Sequence, residues 1–378
     1  MHPDSPLAAP APAPAPRHVF VFTGTGSEYF RIWIVNLCLS LASLGIYTAW
    51  AKVRRLQYFY RNTQLAGAVF DFHGEAKTIF RGRLVAVFML LLYNYAFGFS
   101  ALFGVVVVLF LLLTLPWMMR GALRFRLRNS SYRGLRFDFN GSLPAAYLTY
   151  WPVLFLFLLP PMIIALALEW ADIWLAWLGL LYFFWPWMHG RLREYQHAHL
   201  RYGNVDSRYP LPATAFFKPY FYAVLLGLLA ILLGGILTGL VLVSSQELLR
   251  NTSLQILMSV AAALLFAYLI YLFSIPYLEA RIFNLAWNNT SFPQIKIHSN
   301  VPASGYILLQ AKNTLLTLLT CGLYRPFAVV AAWRFRLQYM QVETDAGLVQ
   351  MHASGELTGS TKAAGDGVAD FLNIDLSW

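Results

Sequence analysis

What most constrains this chain is a set of long stretches without a single charge. Positions 32–51, 84–119, 143–168, 219–246 and 251–278 contain no Asp, Glu, Lys or Arg. A helix crosses the hydrocarbon core of a bilayer with about 20 apolar residues, so each stretch suffices for one crossing and 84–119 for two. Hydrophobic residues make up 58% and charged residues 12% of the 378 positions, against roughly 45–50% and about 25% in soluble domains. The expected class is an all-α polytopic membrane protein.

Six full transmembrane helices are expected, arranged as three hairpins: two arms within 84–119 turning between Gly98 and Gly104, 143–168 with 170–188, and 219–243 with 254–277. Lys52, Arg54, Arg55, Arg61, Lys77, Arg81 and Arg83 precede the first hairpin, and Arg120, Arg124, Arg126, Arg128, Arg133 and Arg136 follow it. Arg191, Arg193, Arg201, Arg208 and Lys218 separate the second from the third. By the positive-inside rule these basic loops are cytoplasmic. The excess of 28 Lys and Arg over 17 Asp and Glu thus serves orientation, and no nucleic-acid partner is expected. Residues 1–18 read as a disordered Pro/Ala-rich tail without the apolar core of a cleavable signal peptide, 19–346 as one membrane domain, and 347–378 as a flexible C-terminal tail. Cys38 and Cys321 both lie in apolar stretches and offer no disulfide framework.

Two internal similarities stand out. Asn62-Thr-Gln-Leu-Ala-Gly67-Ala-Val-Phe70-Asp71-Phe72-His-Gly74 aligns without gaps on Asn129-Ser-Ser-Tyr-Arg-Gly134-Leu-Arg-Phe137-Asp138-Phe139-Asn-Gly141. Phe20-Val-Phe22-Thr-Gly24 is a shortened copy, and Asn289-Thr-Ser-Phe292 with Ile295-Lys-Ile297 a degenerate one. The Asn start and central Gly favour a turn, and Phe-x-Phe alternation puts both rings on one side of a short strand. Short β-hairpins are therefore expected in the cytoplasmic loops, and, being marginal alone, they need to pair with one another; most simply they are caps seating each helix pair, and the alternative is a ligand-binding surface built from the repeats.

The second similarity joins the two ends. Asn36-x8-Gly45-Ile-Tyr47-Thr-Ala-Trp50 matches Asn313-x8-Gly322-Leu-Tyr324-Arg-Pro-Phe327. These two equivalent end segments either cross the membrane, giving eight hydrophobic spans, or enter and return as re-entrant segments; the break at Gly-x-Tyr and the basic flanks favour the re-entrant form, since irregular backbone at membrane depth is tolerated where it is buried in protein or lines a cavity.

The order of these elements resembles the YjgN family of uncharacterised bacterial inner-membrane proteins. The residues that carry the resemblance are Phe22-Thr-Gly-Thr-Gly-Ser-Glu-Tyr-Phe30, Leu44-Gly-Ile-Tyr-Thr-Ala-Trp-Ala-Lys-Val-Arg54, Asn129 to Gly141 and Asn288-Asn-Thr-Ser291. It extends over about residues 18–350. This chain has Pro326-Phe327 where the family tends to Pro-Trp. The resemblance implies a multi-pass inner-membrane location and brings no established activity or catalytic residue.

The sequence contains no sign of catalytic chemistry. The spans hold no deep charge of the kind that proton relays use, no phosphate loop or nucleophile elbow occurs, and His197 and His199 stand two apart, on diverging sides of a helix. No enzyme, cofactor or metal site is expected. The leading expectation is a transport or channel-like protein whose pore or substrate site is lined by Asn36, Tyr47, Asn313 and Tyr324, on the analogy of transporters built from repeated broken helices. The alternative is a lipid-binding or scaffolding membrane protein whose basic cytoplasmic face, with Arg54, Arg55, Arg124, Arg126 and Arg128, contacts anionic lipids of the bilayer.

Overall fold

The computed structural model describes residues 16–166, 171–244 and 252–344. Of the two terminal tails expected from composition, 347–378 lies wholly outside these residues, and of 1–18 only 16–18 are described, Arg17 and His18 as the start of a strand. The chain alternates short strands with groups of helices, two in most groups and three between β5 and β6. Strand β1 (Arg17–Phe22) leads into α1 (Gly26–Ala42) and α2 (Thr48–Arg61), and the chain returns as β2 (Thr63–Leu65). Next come β3 (Ala68–Phe72), α3 (Ala76–Phe99), α4 (Ala101–Arg128) and β4 (Ser130–Tyr132). Then follow β5 (Leu135–Phe139), α5 (Leu143–Ala165), α6 (Ala171–Leu181), α7 (Trp185–Ala198) and β6 (Leu200–Tyr202). β7 (Val205–Asp206), α8 (Phe217–Ser244), α9 (Thr252–Asn288) and β8 (Ser291–Phe292) precede β9 (Ile295–Ser299), α10 (Ala303–Leu319), α11 (Arg325–Gln338) and β10 (Met340–Thr344).

The strands form one ten-stranded antiparallel sheet in the order β7-β6-β5-β4-β3-β2-β1-β10-β9-β8. Its two edges meet: Arg208 N donates to Ser291 O at 2.7 Å and Ser291 N to Arg208 O at 3.1 Å. The sheet is therefore nearly a closed barrel, which removes most exposed edge from a set of strands too short to be stable as isolated hairpins. Helices leave the sheet at one end and tight turns close it at the other. In the turns Ala66-Gly67 and Arg133-Gly134 both residues have positive φ (46° and 76°, 50° and 78°), the primed geometry that matches strand twist.

This sheet overturns the expectation of an all-α protein. The hairpins pair with one another, as their marginal stability alone requires, but they do so in a single sheet, across gaps of tens to hundreds of residues, as in Val19 opposite Gln341. The expected six to eight spans are also corrected. Among the described residues four helical segments are long and apolar enough to cross a membrane: Ala76–Phe99, Ala101–Arg128, Leu143–Ile164 and Ala213–Leu240. The arm expected at 170–188 fails because α6 ends at Leu181, a 3-10 turn follows at Tyr182–Phe184, and α7 then starts on the Trp185-Pro186 pair and becomes polar. The arm expected at 254–277 is part of α9, which is not one of the four.

Neither end segment is a single crossing. Each is a short helix, a turn and a second short helix. The turns share their geometry: Leu44 and Gly45 have φ of 49° and 90°, Cys321 and Gly322 48° and 93°, and Gly45 N reaches Ser40 O while Gly322 N reaches Thr317 O, both at 2.7 Å. This is a helix stop with the left-handed residue where glycine belongs. The apolar tips stand exposed, Leu44 at 94% and Leu319 at 71%.

The aligned Asn and Phe positions make matching contacts. Asn62, Asn129 and Asn289 each donate from Nδ2 to the carbonyl four residues back, of Tyr58, Phe125 and Leu285, at 2.8 Å. Thr23 N, His73 N and Asn140 N each donate to the carbonyl at the end of the neighbouring helix pair, of Asn62, Asn129 and His199. The helix pairs are thus latched to the sheet at its rim by backbone bonds that the short strands alone do not supply.

Candidate binding cavity

The sheet closes around a cavity of about 840 Å³ that continues between the bases of the helices. Its volume lies in the ~300–1,000 Å³ range of small-molecule sites. Alternation decides the lining: cross-strand pairs Phe20–Leu65, Phe70–Tyr132, Phe137–Tyr202 and Val342–Ile297 all put their side chains on its wall. The aromatic members form a ladder across the strands. Phe20 stacks on Phe70 at 6.1 Å between centroids, Phe70 on Tyr132 at 4.6 Å, and Phe137 lies 5.0 Å from Tyr202.

The tyrosine hydroxyls are already used. Tyr132 donates to Leu65 O at 2.7 Å and Tyr202 to Tyr132 O at 3.1 Å, so ring surface faces the cavity. Burial pushes the Tyr202 phenol up to about 12, with Tyr132 adding to the effect. The second Phe of each motif has a different task. The rings of Phe22, Phe72 and Phe139 lie against the Cα of Gly24, Gly74 and Gly141, where a Cβ would approach within 2.8, 2.5 and 2.6 Å.

The helical wall brings charge. Lys52, Arg55, Arg83, Arg126, Arg325 and Arg336 line the cavity, alongside Trp33, Trp287 and Trp333, and among the described residues no Asp or Glu does. Lys52 and Arg55 are three apart on α2 and share a face. Arg126 is 9% exposed, and its Nε has no hydrogen-bond partner; the same holds for Nε of Arg336, whose guanidinium lies 5.8 Å over the rings of Phe283 and Tyr306. A buried cation without an anion is costly, so this wall is poised to receive negative charge.

The residues singled out from sequence do not assemble into one site. Asn36 lines the cavity, buried, with an unpartnered Oδ1. Asn313 does not line it: its Nδ2 reaches Gln310 Oε1 at 3.4 Å and Ala328 O at 3.3 Å, between α10 and α11. Tyr47 stacks on Trp50 and carries Arg54 over its ring at 5.6 Å, and Tyr324 stacks on Phe327. The basic residues divide by helical face. Arg124 and Arg128, four apart, both turn to buried Asp138, Arg128 at 2.7 Å and Arg124 at 3.7 Å; Arg126, halfway between them, points the other way, into the cavity. Likewise Arg55 faces the cavity and Arg54 does not. His197 and His199 diverge as expected: His197 Nδ1 donates to Thr290 Oγ1 at 2.9 Å and His199 Nδ1 to Tyr195 O at 3.0 Å. Thr290 can only accept, since its own hydrogen goes to Ala286 O.

The aromatic wall and Arg336 were not singled out from sequence. The signal for the wall was present in Phe-x-Phe; what was missing was the closure that turns one face of four hairpins and the β1–β10 pair inward.

Comparison with known proteins bears on where this cavity sits. The profile of the family described as bacterial protein of unknown function (DUF898) matches residues 17–371. Inner membrane protein YjgN of Salmonella typhimurium is 25% identical over 360 residues, covering 86% of this chain and 88% of the relative. Inner membrane protein YjgN of Escherichia coli O157:H7 is 34% identical over 134 residues, 35% of this chain and 32% of the relative. The protein of the same name in Escherichia coli K12 is 34% identical over 121 residues, 31% and 30% respectively. The matched part is thus less than two thirds of the length of either Escherichia coli relative. No solved structure matches. With several apolar helices able to span a bilayer, the protein resides in the bacterial inner membrane.

Proposed function

We propose that this chain, which belongs to the DUF898 family of bacterial inner-membrane proteins that includes YjgN, holds an anionic single-chain amphiphile in its barrel and exchanges it with the cytoplasmic leaflet. The observation that carries this reading is the lining of the cavity: mostly aromatic and aliphatic on the strands, with Thr63 and Ser130 as exceptions, cationic on the helices, and without an acidic residue among those described. Apolar area takes the chain of an amphiphile at about 25 cal/mol per Å² buried, and the cationic side chains, with Nε of Arg126 and Arg336 lacking hydrogen-bond partners, take its head.

The rest of the architecture supports the same reading. The scaffold reads as five units of a strand, helices and a strand, the helices numbering two in four units and three in the one between β5 and β6, with helices on one side and turns on the other. Arg61, Arg128, Arg133, Arg136 and Arg201 sit near or within the strands, so positive-inside orientation puts the barrel on the cytoplasmic side and the helix tips in the bilayer. The two short helix pairs at the chain ends, α1–α2 and α10–α11, then dip apolar tips such as Leu44 and Leu319 into the leaflet, as re-entrant hairpins. The cavity continues along α2 from Phe59 beside the barrel to Thr48 near the tip, which gives an amphiphile a walled route between leaflet and barrel.

The test uses the protein in nanodiscs of zwitterionic phosphatidylcholine, titrated with a fatty acid brominated along its chain. Trp33, Trp287 and Trp333 should be quenched saturably, with one acid bound per chain. Unsaturable quenching that persists undiminished when all three are changed to Phe would place the acid in the surrounding lipid and refute the reading.

A further inference from the structure

The cations of the wall are not equivalent, and two of them occupy matched positions at the neck where helices enter the barrel. Arg126 stands four residues before the start of β4, and Arg336 four before the start of β10. Gln196 stands four residues before β6, and Phe59 and Ala286, four before β2 and five before β8, share a further feature with Arg126. Like Arg126, each accepts at its carbonyl a hydroxyl from four residues on: Thr63 to Phe59 at 2.8 Å, Ser130 to Arg126 at 2.9 Å, Thr290 to Ala286 at 2.8 Å. The position is buried in all three, at 4%, 9% and 3% exposure. Phe59, Arg126 and Arg336 line the cavity whereas Gln196 and Ala286 do not, so Arg stands at two of the three places that face inward.

Arg336 lies over the rings of Phe283 and Tyr306, but neither it nor Arg126 is in an ion pair among the described residues. Arg128 is bonded to Asp138 at 2.7 Å and Arg124 stands 3.7 Å from it; Nε of Arg126 and of Arg336, like that of Arg124, has no hydrogen-bond partner although it is shielded from solvent. Below the neck, toward the tight turns, the strands contribute apolar and aromatic groups such as Phe70, Phe137 and Ile297, apart from Thr63 and Ser130 at the first positions of β2 and β4. Above it the wall carries Arg83, Arg55 and Lys52. The neck is thus the boundary between an apolar chamber and a cationic vestibule.

We infer that Arg126 and Arg336 form the head-anchoring site of the barrel, gripping the phosphate or carboxylate of a single-chain amphiphile whose chain lies tail-first among the aromatic rings. This rests on the reading of the cavity as an amphiphile site and adds the orientation and the residues that select for charge. Two donors placed at the rim of an apolar chamber discriminate an anionic head from a hydroxyl, because charge-assisted hydrogen bonds formed away from water exceed neutral ones.

The experiment displaces the brominated fatty acid from the nanodisc-embedded protein with hexadecyl phosphate, hexadecanol or inorganic phosphate, reading recovery of tryptophan fluorescence. In the unaltered protein hexadecyl phosphate should act at concentrations about 10- to 100-fold below hexadecanol, and inorganic phosphate should not displace at all. In Arg126→Met with Arg336→Met the ratio should fall to near one through loss of phosphate affinity, with hexadecanol unchanged. Arg126→Lys with Arg336→Lys, which keeps charge and loses the guanidinium fork, should retain an intermediate ratio and serves if the Met variant does not fold. A ratio unaltered in the Met variant, or at wild-type level in the Lys variant should Met not fold, overturns the anchor and leaves the cavity reading intact. Displacement by inorganic phosphate as effective as by hexadecyl phosphate overturns it in favour of a free-anion site. Failure of both alkyl compounds to displace in the unaltered protein overturns the cavity reading itself.

Discussion

Gly74→Ala tests the link between the repeated motif and the barrel rim. The side chain of Phe72 folds back over Gly74 so that a methyl group there would stand 2.5 Å from Cζ and 2.6 Å from Cε1 of the ring, with Phe125 Cζ at 3.4 Å behind. The ring cannot step aside: Phe72 is fully buried, packed against Tyr60 of α2 at 5.8 Å between centroids. One methylene forced into a full site costs about 1–3 kcal/mol. Gly98 is the control, a glycine near the end of α3 with nothing within 4 Å of its added Cβ; Ala there should be neutral or add up to about 1 kcal/mol from helix propensity. Thermal unfolding of the detergent-solubilised protein, followed by intrinsic fluorescence, should show Gly74→Ala clearly destabilised and Gly98→Ala not. Combining Gly74→Ala with Phe72→Leu should cost less than the sum of the two single changes, because both act on one contact. Equal melting for the two alanine variants, or strict additivity in the double variant, would refute the clash as the reason for the glycine.

Two further outcomes follow from charge burial. Burial, with Arg193 adding, pushes His197 down to about 3, below its unfolded value of about 6.5. The unfolded chain therefore binds a proton that the folded one refuses, and stability should be level above about pH 6.5 and fall towards pH 3, by up to about 1.4 kcal/mol per unit from this group; in His197→Gln the melting temperature should depend less on pH between 7 and 5, and an equal dependence would sink the assignment. Asp138→Asn strands Arg128, bound at 2.7 and 3.2 Å, and should cost about 3 kcal/mol or more as a broken buried pair, whereas Asp71→Asn, whose partner Arg61 is 57% exposed, should cost no more than about 1 kcal/mol; comparable losses in the two melts would contradict the difference in burial.

How much of this could be read from sequence depends on the range of the interaction. Uncharged runs specify membrane class because the argument needs only residues within one helix. Turns at Gly45 and Gly322, and strands at Phe-x-Phe, are equally local. Closure is not: β1 is bonded on one side to β2 and on the other to β10, so that Arg17 lies opposite Glu343, and nothing near either residue announces the other. The same limit explains the candidate site. Asn36 and Asn313 match in sequence, yet only Asn36 reaches the cavity, because its turn of α1 borders the barrel while Asn313 is taken up by Gln310 and Ala328. Arg124, Arg126 and Arg128 look like one basic cluster in the chain; their division into two faces is helical geometry, but which face meets Asp138 and which meets a cavity is decided by β5 and by strands far away. The arm at 170–188 was misread for a local reason, since apolar composition outweighed the break at Tyr182–Phe184 and the Pro186 that follows it.

The most direct measurement is native mass spectrometry of the protein taken from bacterial membranes under mild detergent. One bound molecule per chain, with the mass of a single-chain acid or phosphate and released in Arg126→Met with Arg336→Met, is the predicted result. A chain that carries no such adduct, or that carries two-chain phospholipids equally in both proteins, would contradict the account.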